Sequence, residues 1–255
     1  MKNVTFDLTG KVALVIGGTT GIGHAIAMEY ARWGANVIAV SRRANKCKEV
    51  ADEIRAEGVQ TLEFPVDAQD REQLVQLRDK VVETFGRIDI LVNAAGVNRR
   101  YNAEDFPMEE YDAVMNTNCR SLFMSTQVIG QQMIKQGYGK IINIGSFHCQ
   151  VTMNGVPRSG YSTAKGAVLM MSKALAAEWA KHNITVNVLG PGYFASEMSA
   201  KVANEAYEAS IRNNCPMGRR GNPGELNGAM LYLASDASSY VTGQLLLVDG
   251  GWTIV

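Results

Sequence analysis

The chain has 255 residues, of which 46% are hydrophobic and 20% charged, as is ordinary for a globular protein with a sizeable core. Its 25 basic and 25 acidic residues cancel, which excludes a general attraction to nucleic acid or to an anionic membrane. No apolar run approaches the roughly 18–20 residues that cross a bilayer, and we expect no secretory signal. The four cysteines are scattered without a CxxC pair, which predicts free thiols, a cytoplasmic location and no metal site.

Short apolar runs alternate with helical periodicity along the chain. Runs that are apolar on both faces are typical of a parallel sheet covered by helices on both sides. The pattern predicts a single α/β domain over residues 1–255, a doubly wound, Rossmann-like parallel sheet of about seven strands. The predicted strands are residues 11–16, 36–40, 60–66, 88–93, 140–144, 185–189 and 245–248. The predicted helices are residues 21–33, 45–57, 70–85, 108–136 with a break near 116–118, and 161–182.

Residues 194–222 depart from this alternation. They are polar, show no clear period, and lie between Pro191-Gly192 and Pro223-Gly224. We expect them to form a helical lid over a site rather than a separate domain.

A glycine-rich turn, GGTTGIG over residues 17–23, joins the first predicted strand to the first predicted helix. A pyrophosphate must approach the backbone closely, and a helix N-terminus offers free N–H donors and the positive end of a dipole. A glycine turn alone is weak evidence, but its position between first strand and first helix predicts a dinucleotide site.

The turn resembles the glycine-rich motif of the short-chain dehydrogenase/reductase family, usually written TGxxxGIG, with Ile16 in the threonine position. Similar motifs follow in the family's order: NAAG at residues 93–96, Asn118, Ser146, YSTAK at 161–165, and VDGG at 248–251. The resemblance covers essentially the whole chain. It implies hydride transfer between a nicotinamide dinucleotide and a hydroxyl/ketone pair. The cofactor-binding residues that it implies are Gly17, Thr19, Thr20, Gly21, Ile22, Gly23, Asp67, Asn93, Ala94, Gly96, Tyr161, Lys165, Pro191 and Gly192.

The end of the second predicted strand indicates which nicotinamide is used. Ser41 stands where NAD-preferring relatives carry an aspartate for the adenosine ribose. Arg42 and Arg43 follow, and an arginine makes charge-assisted bonds to a 2′-phosphate. The sequence therefore predicts NADP(H) in preference to NAD(H).

Tyr161 and Lys165 are four residues apart in a predicted helix, so their side chains share one face. A nearby ammonium favours the phenolate, which lets a tyrosine exchange a proton with a carbonyl or an alcohol. The resemblance implies that Lys165 also holds the nicotinamide ribose and that Ser146 hydrogen-bonds the substrate oxygen. It implies that Asn118 lies in a helix distortion that helps to hold a proton-relay water.

The loops after the fourth, fifth and sixth predicted strands should border the substrate. Their candidate binding residues are Arg99, Arg100, His148, Arg158 and Tyr193. The Arg99-Arg100 pair and the segments 103–107, 151–153 and 251–253 are similar to gluconate 5-dehydrogenases and related keto-deoxygluconate dehydrogenases. Because an arginine binds a carboxylate bidentately, the sequence predicts a sugar-acid or polyol dehydrogenase.

Two alternatives stay open at this point. One is another ketoreductase, such as a β-ketoacyl-carrier-protein reductase, and the other is a dinucleotide-binding sensor or scaffold without catalysis. The family resemblance also implies a homotetramer, assembled through the long helices that follow the fourth and fifth predicted strands.

Overall fold

One parallel sheet forms the centre of the computed structural model, which describes residues 5–195 and 204–255. In these residues the sheet has six strands in the order β2-β1-β3-β4-β5-β6. The strands are β1 Val12–Ile16, β2 Asn36–Val40, β3 Ile90–Asn93, β4 Gly139–Ile144, β5 Ile184–Pro191 and β6 Leu245–Val248. The predicted doubly wound parallel sheet is confirmed.

Helices cover both faces of the sheet because its strands are apolar on both. On β1, Val12 and Leu14 belong to one buried cluster while Ala13 and Val15 belong to another. Successive strand residues point to opposite faces, so each cluster is the core of one layer. The helices are α1 Gly21–Arg32, α2 Ala44–Ala56, α3 Arg71–Phe85, α4 Met108–Met115, α5 Ser121–Gln136, α6 Ser159–Trp179, α7 Glu205–Asn214 and α8 Asn227–Ala234. In the described ranges, none of them combines the length and hydropathy needed to span a bilayer.

The predicted break near residues 116–118 is a π-helical turn, Asn116–Arg120, between α4 and α5. Such turns interrupt a helix locally and are frequent at functional sites. Part of the predicted lid, residues 196–203, lies outside the described residues, whereas α7 falls within the rest of it.

The predicted strand over residues 60–66 is wrong. The segment runs beside β2 and joins it near its two ends, where Val37 N–H donates to Gln60 O at 3.1 Å and Val66 N–H donates to Ser41 O at 2.9 Å. Pro65 has no N–H to donate, and the segment lies beyond the outermost strand. Proline at such an edge interrupts the ladder of hydrogen bonds, so the segment lies beside β2 without forming a strand.

The strand order reverses between β1 and β3. The chain passes from β1 to β2 on one side, and returns to place β3 on the other side of β1. In such sheets a crevice opens beyond the carboxyl ends of the strands at the reversal. The glycine turn after β1 and the loop after β3 therefore border one cleft.

A buried polar network ties the centre of the sheet to α5 and α6. The Asn93 amide donates to Asn143 Oδ1 at 2.8 Å and to Thr126 Oγ1 at 2.9 Å, and accepts from Ser125 Oγ at 2.6 Å. Asn143 in turn donates to Ser172 Oγ at 2.9 Å. A network with its groups paired fixes the register of strands and helices that apolar packing alone leaves loosely specified.

Asn143→Ala is expected to destabilise the fold, because it leaves hydrogen-bonding groups of Asn93 and Ser172 buried without this partner. Each such group costs about 1–3 kcal/mol of unfolding free energy. Urea unfolding at fixed protein concentration measures the loss. The exposed Asn45→Ala is the matched control, and equal stability of the two variants would contradict the structural role of the network.

Candidate active site

The glycine turn after β1 is packed so tightly that side chains are excluded from three positions, Gly17, Gly18 and Gly23. A Cβ on Gly17, whose φ is +79°, would lie 2.6 Å from Ala95 N. A Cβ on Gly23 would lie 2.2 Å from Gly17 O, far inside van der Waals contact. At Gly21 a Cβ would meet nothing within 4 Å. The turn is therefore closely packed on the side of Gly17 and Gly23 and has free space at Gly21.

The N-terminus of α1 points its first amides into this open space. Thr20 is the N-cap residue, and its side chain makes no capping hydrogen bond to the first turn. Its Oγ1 accepts a 3.5 Å bond from Arg43, which brings that guanidinium to the turn. Thr19 is buried, and Ile22, the second residue of α1, packs against the hydrophobic core that α1 covers. Free amides at the positive end of a helix dipole form an anion site.

A cleft of about 350 Å³ extends from the turn across the carboxyl ends of the strands. Ser41 and the exposed Arg42 line one part of it, beside Asp67. Gly96 and Thr117 line the part beyond β3. The sequence analysis missed Thr117 because it belongs to no motif and reaches the cleft only through the π-helical turn.

Asn118 secures the loop after β3. Its amide accepts from Val97 N–H and donates to Val97 O, both at 2.7 Å, and the side chain is fully buried. The side chain thus holds the backbone of Val97, the residue after Gly96, by two hydrogen bonds. The start of the same loop is held by a hydrogen bond of 2.8 Å that the Ala94 backbone N–H donates to Ile16 O.

The side chain of Asn93 lies beneath the cleft. Its side chain is buried, and its amide nitrogen and oxygen both bond within the sheet network described above. The side chain therefore supports the cleft from beneath instead of lining it.

Three reactive groups meet where β4 ends and α6 begins. Lys165 Nζ donates to Ile144 O at 2.7 Å and lies 5.6 Å from the ring centroid of Tyr161. Ser146 Oγ accepts from His148 N–H at 3.2 Å. Both Lys165 and Ser146 are buried, while Tyr161 is partly accessible. The structure thus brings the predicted tyrosine, lysine and serine together.

His148, Arg158 and Tyr193 gather around Tyr161. The rings of His148 and Tyr161 are perpendicular, with centroids 5.6 Å apart. Burial and the nearby Arg158 charge lower the pKa of His148 to about 4, so its imidazole is neutral at physiological pH. Burial raises the pKa of Tyr193, and the charges of Arg158 and Arg100 counter part of that increase.

Arg99 and Arg100 have different surroundings, although they are neighbours in sequence. Arg99 Nε donates to Glu110 Oε2 at 2.6 Å, so its guanidinium already has an anionic partner on α4. Arg99 lines the cleft that begins at the glycine turn. Arg100 is exposed, and its charge acts on Tyr193 and Tyr207.

The end of β5 closes the opposite side of the site. Pro191 is its last residue, and Gly192 N–H donates to Val248 O at 2.9 Å. A Cβ on Gly192 would lie 2.6 Å from Asp249 Cα, so the chain passes here only without a side chain.

An aromatic cluster that no sequence motif indicated supports this side. Phe147 packs on Tyr193 and Trp252 with ring centroids 5.4 Å apart in each pair, and Tyr207 of α7 packs on Tyr193 at 5.7 Å. Four rings from separate parts of the chain thus hold the loop after β4 against the C-terminal segment.

Comparisons with known proteins agree with this geometry. A family model described as enoyl-(acyl carrier protein) reductase matches residues 17–253. The 2-dehydro-3-deoxy-D-gluconate 5-dehydrogenase of Dickeya dadantii is 40% identical over 97% of this chain and 97% of its own length. The gluconate 5-dehydrogenase of Gluconobacter oxydans is 38% identical over 98% of this chain and 97% of its own.

The solved structures agree as well. A gluconate 5-dehydrogenase from Burkholderia cenocepacia, crystallised with NADP and tartrate, is 37% identical over 98% of both chains, with a TM-score of 0.93. With a family model over nearly its whole length and full-length relatives of this similarity, the chain belongs to the short-chain dehydrogenase/reductase family and is an oxidoreductase that acts on CH–OH groups.

Proposed function

We propose that this protein interconverts a secondary alcohol and a ketone on a sugar acid such as gluconate, with NADP(H) as cofactor. The observation that carries the proposal is the cluster of Tyr161, Lys165 and Ser146 beyond the end of β4, at the same edge of the parallel sheet as the glycine turn after β1. The names of the similar proteins, which are dehydrogenases of gluconate and of a dehydro-deoxygluconate, support the substrate class.

The cleft residues fit a nicotinamide dinucleotide. Gly17 and Gly23 leave the turn bare, and the uncapped first turn of α1 offers amides to a pyrophosphate. Arg42 and Arg43 would hold the 2′-phosphate, with Ser41 beside them leaving it room. Asp67 would face the adenine, and the backbone from Ala94 to Gly96, with Pro191-Gly192, would flank the nicotinamide half.

The bound nicotinamide supplies or accepts the hydride, and the protein's own groups manage the proton. Tyr161 gives its phenolic proton to the carbonyl oxygen on reduction and takes it back on oxidation. Ser146 donates a hydrogen bond to the same oxygen. The Lys165 ammonium, held by Ile144 O, stabilises the phenolate. The π-helical turn at Asn118 interrupts the helix, and backbone carbonyls freed there would hold a relay water, as the family resemblance implies.

Arg42→Ala is expected to weaken NADPH binding by about 10- to 150-fold, because a hydrogen bond to a charged group contributes about 1.5–3 kcal/mol. NADH affinity should change little, since NADH has no 2′-phosphate. Fluorescence titration of both cofactors measures the difference, with NADH as internal control. An equal loss for both would indicate a damaged fold, and a wild-type preference for NADH would contradict the assignment.

The function itself is tested by turnover of a substrate panel. The purified enzyme is assayed with NADPH and NADH against keto-sugar acids, keto-polyols and β-ketoacyl thioesters. We expect the highest kcat/KM for a keto-sugar acid with NADPH. A preference for thioesters would move the protein to the ketoacyl reductases, and absence of turnover with every ketone would favour a sensor or scaffold.

The proposal extends to a homotetramer in the cytoplasm. Phe123 on α5 and Met170 on α6 are exposed apolar side chains, 44% and 62% accessible, on the two long helices that the family resemblance implies as contacts. The four cysteines form no disulfide, which supports a reducing compartment. Light scattering of the purified protein measures the mass, and a monomer would contradict the tetramer.

A further inference from the structure

Arg158 is a charged residue in an unusual setting. It is only 7% exposed, and its Nε is buried without a hydrogen-bond partner. Among the residues that the structure describes, no carboxylate forms an ion pair with it. A guanidinium taken out of water is stable only when a suitable anion or hydrogen-bond acceptors compensate its charge.

None of the side chains around Arg158 carries a negative charge, although the Tyr193 hydroxyl accepts a hydrogen bond from its guanidinium. His148 is neutral because burial and the Arg158 charge lower its pKa to about 4. The Tyr193 phenol, neutral at physiological pH even with its ordinary pKa, has that pKa raised further by burial and supplies no negative charge. Arg100 adds a second positive charge close enough to act on Tyr193. The site therefore attracts an anion.

His148 adds a hydrogen-bond acceptor to this site. Its Nδ1 lies 3.2 Å from Val151 O and 3.4 Å from Ser162 Oγ. A carbonyl oxygen only accepts, so the shorter contact places the proton of the neutral ring on Nδ1. Nε2 is therefore a lone-pair acceptor. It is buried without a partner, and the residue is 5% exposed. Such a nitrogen is satisfied by an O–H or N–H group and not by a carboxylate or ketone oxygen.

The pair lies next to the reacting groups. His148 follows Ser146 by two residues and packs against the Tyr161 ring, and Arg158 precedes Tyr161 by three. A substrate whose carbonyl meets Tyr161 thus extends toward a cation and a neutral acceptor. Away from bulk water, both interactions gain strength.

We propose that Arg158 and His148 form a subsite for a carboxylate and the hydroxyl on its neighbouring carbon. Arg158 binds the carboxylate, and His148 Nε2 accepts the hydroxyl proton. The inference rests on the proposed function and deepens it. The substrate is an aldonate, which has this hydroxyl, in preference to a 2-keto-3-deoxy acid, which presents an acceptor there.

The test uses oxidation of three compounds by the full-length enzyme with NADP⁺. D-Gluconate has both groups, D-glucitol has a hydroxymethyl group in place of the carboxylate, and 2-dehydro-3-deoxy-D-gluconate lacks the neighbouring hydroxyl. Arg158→Gln should lower kcat/KM for D-gluconate by about 10- to 150-fold and leave D-glucitol within a few-fold. Arg55→Gln, on the exposed face of α2, is the matched control.

His148 is tested separately. His148→Phe keeps a ring against Phe147 and removes the acceptor, so kcat/KM for D-gluconate should fall roughly 2- to 13-fold. The kcat/KM for the 2-keto-3-deoxy acid should be unaffected, so the preference for D-gluconate, measured as the ratio of the two kcat/KM values, should decrease. His148→Gln, whose amide oxygen accepts a hydrogen bond at similar reach, should restore the ratio. NADPH affinity and the thermal midpoint of each variant report folding.

Several outcomes would contradict the proposed roles of Arg158 and His148 in this subsite. One is an equal loss on D-gluconate and D-glucitol in Arg158→Gln, and another is a gluconate-selective loss in Arg99→Gln with none in Arg158→Gln. A wild-type preference for the 2-keto-3-deoxy acid would overturn the role of His148. If no sugar acid is turned over, the proposed function fails, but calorimetry of D-gluconate binding to the NADPH complex still tests the subsite, and unchanged binding in Arg158→Gln rejects it.

Discussion

Replacing Tyr161 with phenylalanine is expected to lower kcat by about 10²–10⁴-fold while leaving NADPH affinity close to wild type. The change removes only the phenolic oxygen and its proton. The ring stays against His148, and Lys165 keeps its 2.7 Å bond to Ile144 O, so the surroundings of the site are preserved. The loss therefore falls on proton transfer and not on cofactor binding.

Steady-state kinetics with a saturating ketone give kcat, and fluorescence titration gives the NADPH dissociation constant. Tyr232→Phe is the matched control, because this tyrosine lies on α8 and packs on the core cluster of α1. It should retain wild-type kcat. A near-normal kcat in Tyr161→Phe would remove Tyr161 from its role, and a parallel loss of NADPH binding would point to damage of the cleft.

The sheet could be predicted from the sequence because its strands are buried on both faces. Most positions of each run are apolar, as all five are in β1, and the shortness of the runs and their β-branched residues favour strands over buried helices. The segment 60–66, QTLEFPV, is more polar than the buried strands and contains Pro65, and both features set it apart from them. Whether an extended segment forms hydrogen bonds with a neighbouring strand depends on the tertiary structure, and the sequence pattern does not show this.

The reacting groups could be predicted because they are close in sequence and act through fixed spacing. Tyr161 and Lys165 are one helical turn apart, and Ser146 follows a strand that ends beside them. The assignment of the arginines could not be made in this way. Arg99, Arg100 and Arg158 all lie in loops near the crevice, and only the tertiary structure shows that Arg99 pairs with Glu110 while Arg158 is buried without an acid.

Asn93 illustrates a different limit. Its position in a family motif implies contact with the cofactor, and the structure shows that its side chain instead makes hydrogen bonds with Asn143, Thr126 and Ser125, which leaves only its backbone for that contact. A polar residue at the end of a buried strand looks the same in sequence whether it faces a ligand or bonds within the core. Burial decides between the two, and burial is a property of the assembled sheet.

Gly23→Ala is expected to lower cofactor affinity by about 10²-fold or more. The new Cβ would lie 2.2 Å from Gly17 O and 3.1 Å from Ala94 Cβ. Backbone oxygen cannot yield as a flexible side chain does, so the turn and the first residues of α1 must separate by roughly 1 Å. A displacement of that size is enough to cost about 10²-fold when groups must be aligned, and here it moves the amides proposed to face the pyrophosphate.

Gly228→Ala separates this effect from the general consequence of adding a methyl group to a helix. Gly228 lies in α8, and a Cβ there would meet nothing within 4 Å. Alanine is the better helix former by about 1 kcal/mol, so Gly228→Ala should equal or exceed wild type in stability and bind NADPH normally. The same substitution in α1 also gains helix propensity, so a loss confined to Gly23→Ala must come from the contact with Gly17. Normal NADPH affinity in Gly23→Ala would mean that the turn does not cradle the cofactor.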